Sequence, residues 1–369
     1  MLKQLKELAK RLLAIDWIRR SYEAGMRSVS EVFGAHRLLS IPYSILTFPT
    51  FNREQFAVLR GRRDYYRNLS RQRRSHTELR RNVHRLEKGI SMQPRRPVFA
   101  LDYLGETIEY YEKAIRALDG TTSIDQDELI WAHNVLTDYF AAVDTTNPVV
   151  ADAHARFLAT EVAFQPEIRT AKPFRRAEGI RSEVSYEELM RLAMQRRSVR
   201  WFKQQPVPRD LIDQALLVGR QGPTACNRLP YEFRIFDEPE LVKKITGIPF
   251  GSAGYSHQVP AVAVVIGRLS HYFSPRDRHA IYVDSSLASM GFMFALETLG
   301  LSSSVINWPD FEPLEAKMQK ALGLDYDARV IMLIAIGYAD PDGLIPYSQK
   351  KPLEILRSYN RTATNPGTH

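Results

Sequence analysis

A basic cluster in the middle of the chain has the residue types and spacing that bind a phosphate group. Residues 196–200 read Arg-Arg-Ser-Val-Arg. If this stretch is extended, alternate side chains share a face, so Arg196, Ser198 and Arg200 project to one side. Guanidinium groups hold phosphate bidentately, and a hydroxyl adds another partner. The cluster predicts a dianion site. A solvated basic helix end, which complements the helix dipole, is the alternative that these residues leave open.

A loop of small residues supplies a second candidate site. Residues 222–230 read Gly-Pro-Thr-Ala-Cys-Asn-Arg-Leu-Pro. The carboxamide of Asn227 both donates and accepts hydrogen bonds, which suits the polar edge of a heterocyclic ring. A turn-forming asparagine close to Pro230 is the plainer interpretation. We expect Cys226, the single cysteine of the sequence, to be a buried packing residue and not a nucleophile.

The elements that must position these residues follow from the hydrophobic spacing. Ser185 and Glu188 predict a capping box at the start of a short helix that ends at the basic cluster. Beyond residue 183, helices and strands alternate, with strands predicted over 231–236, 260–267 and 330–336. Residues 284–299 predict a long helix that is apolar nearly all round, and such a helix must be buried on several sides.

The first 180 residues are predicted to be mostly helical and to form a region of their own. Predicted helices cover 2–23, 53–69, 77–89, 103–117, 125–142 and 148–159. We predict a helical domain over residues 1–163 and a linker over 164–182, which contains prolines and a charge run. A second domain then covers residues 183–369.

The charge balance favours anionic partners. The formal net charge of the 369 residues is +9, so a phosphorylated cofactor, nucleic acid or an acidic membrane surface would be attracted. Arginine is concentrated between residues 53 and 96, with Tyr65, Tyr66 and His76 interleaved, and residues 1–23 predict a basic amphipathic helix. We favour a solvated helix face over nucleic-acid binding, and packing on the protein over membrane contact. Apolar runs are too short to cross a bilayer, and a cytoplasmic location is expected.

Five motifs in the second half of the sequence together resemble the FMN-dependent nitroreductase family. Each is similar to a family motif, and their order along the chain is the same as in the family. They are residues 195–202, 222–231, 284–301, 334–338 and 350–354. The resemblance covers residues 185–357 and implies an α+β, three-layer fold, with a central mixed, mainly antiparallel sheet flanked by helices. It leaves the helical N-terminal region without a role.

The resemblance also implies which residues hold the cofactor FMN. Residues of the basic cluster match the phosphate and ribityl contacts, and a C-terminal lysine adds a further cation. The small-residue loop matches a ring contact through Asn227, and a backbone N–H of the stretch after the long helix matches a contact to the reactive ring nitrogen. The implied cofactor-binding residues are Arg196, Arg197, Ser198, Arg200, Pro223, Thr224, Asn227, Ile306, Asn307, Lys350 and Lys351.

The expected activity is that of an oxidoreductase. In a ping-pong sequence, NAD(P)H would reduce the flavin, and an electron-poor small molecule would then be reduced at the same face. The resemblance implies a homodimer in which the long helices pack together and FMN lies between the subunits. Other flavin chemistry of the same family is one alternative. The other is a binding or assembly protein whose basic N-terminal half binds nucleic acid or a membrane surface.

Overall fold

The computed structural model describes residues 15–46, 48–69, 76–118, 125–162, 164 and 171–363. Contacts divide the chain into two compact units, Met1–Ala57 and Val58–His369. Most of the predicted amphipathic helix of residues 1–23 lies outside the described residues. The described part belongs to a helix, Asp16–Gly34, that continues eleven residues beyond the predicted end. The predicted linker over residues 164–182 implies that the regions on its two sides fold independently. This stays a prediction.

Helices dominate the described chain up to residue 160. The helices are α1 (Asp16–Gly34), α2 (Ser40–Leu46), α3 (Phe48–Asn68), α4 (Thr77–Ile90), α5 (Leu104–Arg116), α6 (Gln126–Ala142) and α7 (Pro148–Ala159). Within the second unit, α4 to α7 bury their apolar faces against one another, with Tyr111 and Tyr139 fully enclosed. Five of the six predicted helices in this region exist, and each begins and ends within five residues of the predicted bounds.

The C-terminal region is an α+β fold built on an antiparallel sheet. Its helices are α8 (Tyr186–Gln195), α9 (Arg209–Gly219), α10 (Pro239–Thr246), α11 (Ala280–Thr298), α12 (Glu312–Leu322) and α13 (Leu353–Leu356). Among the described residues, the strands are β1 (Tyr231–Phe236), β2 (Ala261–Arg268), β3 (Ser302–Asn307) and β4 (Ala328–Gly337), in the order β1-β2-β4-β3. A parallel bridge from Ser198 to Ser303 adds a mixed pairing at the β3 edge. The α+β fold with a mainly antiparallel sheet was predicted correctly.

The short helices α2 and α13 escaped the sequence analysis, and so did two longer elements, β3 and α12. β3 begins with Ser302, Ser303 and Ser304, of which the second and third are buried. Serine has no preference for strands, so the segment gave no strand signal. α12 was missed as well, although Pro313 stands in its first turn, where proline favours a helix start.

The long helix α11 is the element around which the C-terminal region packs. It contacts α9 along its length and also lies against the sheet. The approach to α9 is close, because a Cβ on Gly219 would lie 3.0 Å from the carbonyl oxygen of Ala288. Against the sheet, a Cβ on Gly267 would lie 2.7 Å from the Cβ of Ile281. Glycine at both positions therefore lets the helix seat on its neighbours.

The helical residues 58–162 pack directly on the sheet region within the second unit. A Cβ on Gly61 would lie 2.7 Å from the Cβ of Leu269. Beside it, Arg62 Nε donates to the carbonyl oxygen of Phe273 over 2.9 Å. The ring of Phe273 also faces Arg81 of α4, with the guanidinium carbon 5.2 Å from the ring centroid. No helix in the described part of the chain is both long and apolar enough to cross a membrane.

Candidate functional site

The basic cluster follows α8 and runs along the edge of the sheet. The predicted capping box starts α8: Ser185 Oγ accepts from the backbone of Glu188 over 3.1 Å, and Glu188 Oε2 accepts from the backbone of Ser185 over 2.9 Å. The helix ends at Arg196, whose backbone is extended. Val199 N then donates to the carbonyl oxygen of Ser303 over 3.1 Å, and this fixes the cluster against β3. The predicted extended segment beside a helix end is confirmed.

Buried polar atoms without partners gather where the cluster meets β3. Arg196 Nε and the hydroxyls of Ser303 and Ser304 have no hydrogen-bond partner among the described residues. Polar groups that are buried without a partner are costly, so native proteins leave few of them. Consecutive side chains of a strand face opposite sides of the sheet, so the Arg196 nitrogen and one of the two hydroxyls can share a single anion. A donor nitrogen and a hydroxyl match the needs of a phosphate group.

Glu297 is the acidic neighbour of this cluster, and the sequence analysis missed it. Its side chain is 7% exposed, and Gln195 Nε2 donates to its Oε2 over 3.4 Å. Burial raises the pKa of the Glu297 carboxyl, while hydrogen bonds from Gln195 and Ser302 and the charge of Arg196 act in the opposite direction. Nothing in the local sequence distinguishes Glu297 from a surface glutamate near a helix end.

The C-terminal segment comes back to the basic cluster. Arg197 Nη2 donates to the carbonyl oxygen of Tyr347 over 3.1 Å, and Asp340 N donates to the carbonyl oxygen of Trp201 over 3.0 Å. Lys350 and Lys351 follow three and four residues after Tyr347, and both are exposed. The structure thus brings the segment that carries the predicted C-terminal cations to the predicted phosphate site.

β3 continues from the cluster to the predicted ring contacts. Ile306 is buried in the core, whereas Asn307 is exposed at the end of the strand. Tyr255 lies alongside, because the guanidinium carbon of Arg200 is 5.7 Å from the centroid of its ring. Arg200 is otherwise turned toward its own segment, with Nη1 3.5 Å from the carbonyl oxygen of Ser198. We call this set of residues along β3 the β3 group: the basic cluster, Ser303, Ser304, Ile306, Asn307 and the C-terminal segment.

The small-residue loop forms a tight turn with an unusual backbone. Cys226, Asn227 and Leu229 have positive φ angles of 55, 51 and 46 degrees. Thr224 closes the turn, since its Oγ1 accepts from Leu229 N over 3.1 Å and its carbonyl oxygen accepts from Asn227 N over 3.0 Å. Pro223 is exposed beside it, and Cys226, predicted to be buried, is only half-buried.

A buried carboxylate anchors this loop to α11. Asp284 Oδ2 accepts from Ala225 N over 3.0 Å and from the hydroxyl of Tyr272 over 3.1 Å. Burial raises the pKa of the Asp284 carboxyl, and both hydrogen bonds oppose that shift. The sequence placed Asp284 in the long helix but gave no sign that it holds the loop.

One protomer does not bring the loop and the β3 group together. Ser198 pairs with Ser303, and Ser303 pairs with Ile336 near the end of β4. The loop leads into Tyr231 of β1. Across the intervening strand β2, Tyr231 is in register with Arg329 at the start of β4. These two levels are about 24 Å apart along the strands, and the β1 and β3 edges lie about 14 Å apart across the sheet. The two predicted sets of cofactor contacts therefore face different places on a single chain.

Both predicted sets of cofactor contacts lie in a region that matches a known protein family. Residues 193–254 and 255–338 match the family model described as "Nitroreductase family". The C-terminal region of this chain is a nitroreductase-family domain. The match covers the basic cluster, the loop, α11 and the sheet, and ends before the lysines of the C-terminal segment.

Relatives of this nitroreductase domain match it over about half of the present chain. A putative NADH dehydrogenase/NAD(P)H nitroreductase of Methanothermobacter thermautotrophicus is 27% identical over 191 residues, which cover 51% of this chain and 85% of the relative. An NADH dehydrogenase of Thermus thermophilus is 24% identical, with 44% and 91% covered. Human iodotyrosine deiodinase 1 is 19% identical, with 46% and 68% covered.

A solved FMN-dependent nitroreductase from Clostridium difficile shares 20% identity with this chain at a TM-score of 0.38. The superposition covers 42% of this chain and 91% of that structure. A putative NAD(P)H:FMN oxidoreductase from Staphylococcus epidermidis has a TM-score of 0.41 and 18% identity, with 49% and 100% covered.

Proposed function

We propose that this nitroreductase-type oxidoreductase binds FMN and uses NAD(P)H to reduce an electron-poor small molecule by a ping-pong mechanism. The observation that carries the proposal is the β3 group, in which the unpartnered buried Nε of Arg196 and an unpartnered serine hydroxyl of β3 meet a cationic segment. That set fits the phosphate of FMN in charge and in hydrogen-bonding capacity. Bound FMN would supply hydride transfer, which no side chain can supply.

The residues of the domain have separate tasks in this proposal. Arg196, Ser198 and Arg200 hold the phosphate and the neighbouring ribityl chain, and Lys350 or Lys351 adds charge from the C-terminal segment. Arg197 orders that segment through its bond to Tyr347. Ile306 and Asn307 lie farther along β3, where a ring attached to that phosphate would extend. Pro223, Thr224 and Asn227 present polar groups to the ring from the loop.

A homodimer completes the site, because the loop and the β3 group do not meet within one chain. Val283, Leu287 and Met290 lie one turn apart on α11 and are 57%, 45% and 36% exposed. Apolar side chains at this spacing form a continuous stripe, which the remaining packing of α11 leaves in solvent. We propose that two copies pack through this stripe and that each supplies its loop to the β3 group of the other.

The proposed acceptor is a small, electron-poor molecule, and the proposed electron donor is NAD(P)H. A cytoplasmic location is part of the proposal. It is supported by the single cysteine of the sequence, which suits a reducing compartment.

The phosphate assignment is tested by removing two guanidinium groups together. We expect Arg196→Ala combined with Arg200→Ala to raise the Kd for FMN at least about a hundredfold, because each charged hydrogen bond contributes about 1.5–3 kcal/mol. Both residues are half-buried beside the edge of the sheet and outside its hydrophobic core, so the circular dichroism spectrum should be unchanged. Fluorescence quenching of added FMN by the purified protein measures the affinity.

Arg191→Ala is the matched control. Arg191 is an exposed arginine on α8, one turn before the cluster. Its loss removes one nearby positive charge, against two in the double variant, without touching the β3 group, so FMN affinity should change by less than about threefold. A double variant that retains FMN with wild-type affinity would refute the phosphate assignment.

A further inference from the structure

Helix α4 reaches from the helical region to the loop that carries Asn227. Arg80 Nε donates to the carbonyl oxygen of Asn227 over 3.0 Å, and Arg80 Nη1 donates to Glu128 Oε2 over 2.9 Å. Glu128, on α6, is 5% exposed, so the carboxylate that holds Arg80 is itself fixed. The planar guanidinium is therefore clamped on one side by the helical region and touches the loop with the other.

A second contact from the same helix holds the next residue of the loop. Arg228 is 5% exposed, and its Nη2 lies 3.9 Å from Oε1 of Glu78, which is 2% exposed. Glu78 also accepts from Arg81 Nη1 over 2.8 Å. On its other side, Arg228 stacks over Tyr272, with the guanidinium carbon 5.0 Å from the ring centroid. Tyr272 in turn bonds to the carboxylate of Asp284 that anchors the loop.

The loop needs such outside support because its own backbone is strained. Cys226, Asn227 and Leu229 all have positive φ angles, although each carries a Cβ that makes this conformation costly. A strained backbone persists only where its surroundings determine it. The hydrogen bond from Ala225 N to Asp284 holds the start of the loop, and the contacts of α4 hold Asn227 and Arg228.

We propose that Arg80 is a positioning residue for the candidate flavin contact, acting through the peptide of Asn227. The inference rests on the proposed function, in which the loop meets the flavin ring. It assigns a role to the helical region, which the nitroreductase domain match does not cover: α4 sets the orientation of the Asn227 carboxamide. Glu78 supports this by pairing with Arg228, and Glu128 by holding Arg80.

Arg80→Lys in the full-length chain tests the proposal. Lysine keeps a positive charge near Glu128 but loses the fork that reaches two partners at once. We expect the Kd for FMN to rise about tenfold, the effect of one lost hydrogen bond that orients a contact. Arg85→Lys is the matched control, because Arg85 lies on the same helix and stacks over Tyr103 at 3.5 Å, away from the loop. This control should bind FMN like the wild type.

A double-mutant cycle separates positioning from a general effect on stability. If Arg80 acts through Asn227, Arg80→Lys should weaken FMN binding in the wild-type background but not in an Asn227→Ala background. A purely structural role would make the two losses additive. Glu78→Gln is a second variant. It keeps the shape of the side chain and an oxygen that accepts from Arg81, but it removes the negative charge that pairs with Arg228. We expect this variant, too, to raise the Kd for FMN.

The outcomes distinguish this inference from the proposed function. Wild-type protein that takes up no FMN overturns both. Wild-type protein that binds FMN, together with an Arg80→Lys variant indistinguishable from Arg85→Lys or additive with Asn227→Ala, overturns the positioning role alone.

Discussion

At the level of single residues, the candidate site is defined by charge that the fold has partly removed from water. Glu297 is the clearest case, since its carboxyl is buried beside Arg196 yet is held by only weak hydrogen bonds. Burial outweighs these interactions and raises the pKa of Glu297 above its ordinary value of 4.5. The ionised form therefore costs the native state stability, even with an arginine nearby.

The sign of this shift gives a prediction for stability. A raised pKa in the folded state contributes stability at acidic pH that is lost as the pH rises through the folded value. We expect Glu297→Gln to raise the Tm of flavin-free protein at neutral pH and to leave it unchanged below pH 4.5, where the wild-type carboxyl is also neutral. Differential scanning calorimetry across this range measures the difference.

Glu187→Gln serves as the control for this experiment. Glu187 lies in the first turn of α8 and is exposed, so its substitution should shift the Tm little at any pH in the range. A Glu297→Gln variant that is less stable than the wild type at neutral pH would contradict the assignment of burial as the dominant effect.

Sequence patterns located residues that act through local chemistry and missed those that act through distant contacts. The capping box of Ser185 and the basic cluster were read correctly, because both depend on neighbours along the chain. The sequence did not distinguish Arg80 from the many arginines around it, because its partner Asn227 is 147 residues away. Ser303 was missed for a related reason, as a buried serine is recognisable only once the strand beside it is known.

At the level of elements, α11 shows how one helix can serve two packing surfaces. The sequence indicated an apolar helix over residues 284–299, and the observed helix starts four residues earlier. Its buried side faces α9 and the sheet, while the stripe of Val283, Leu287 and Met290 remains exposed. Periodicity could not separate a fully buried helix from one that packs on a second subunit, because both are apolar all round.

The stripe leads to a prediction about assembly. We expect Leu287→Glu to convert a dimer into a monomer. In the dimer the new carboxylate would be buried at the centre of an apolar interface, without water and without a partner of opposite charge. If each loop completes the site of the other copy, the same variant should lose FMN. Light scattering after size-exclusion chromatography gives the mass, and absorbance gives the flavin content.

Leu158→Glu is the matched control, because Leu158 is 70% exposed on α7 in the helical region. It introduces the same charge and should leave the mass and the flavin content unchanged. A monomeric Leu287→Glu variant that retains full FMN would show that one chain is sufficient for the site.

At the level of the whole molecule, the question is how much of the chain the flavin site needs. All contacts of the loop and the β3 group described above lie within the unit Val58–His369. The sequence predicted a boundary at residues 164–182 from prolines and lost periodicity. It could not predict that Gly61, Arg62 and Arg80 would pack on the domain that follows, since those contacts join residues more than 140 positions apart.

Truncation decides between these divisions. We expect a chain that begins at Phe48, the start of α3, to bind FMN like the full-length protein. A chain that begins at residue 183 should lose affinity and stability, because it exposes the faces of Leu269 and Phe273 that α3 and α4 cover. Thermal unfolding and FMN titration of both chains test this. A chain over residues 183–369 with unchanged Tm and affinity would establish the predicted boundary and remove the role of α4.

The visible absorbance spectrum of the purified full-length protein, recorded without oxygen before and after adding NADH or NADPH, tests the central claim most directly. We predict a bound flavin that is released on denaturation as FMN, close to one per protomer, and whose absorbance bleaches when reduced nicotinamide is added. Colourless protein that takes up no FMN when the cofactor is supplied, or a bound flavin that neither nicotinamide reduces, would contradict the account.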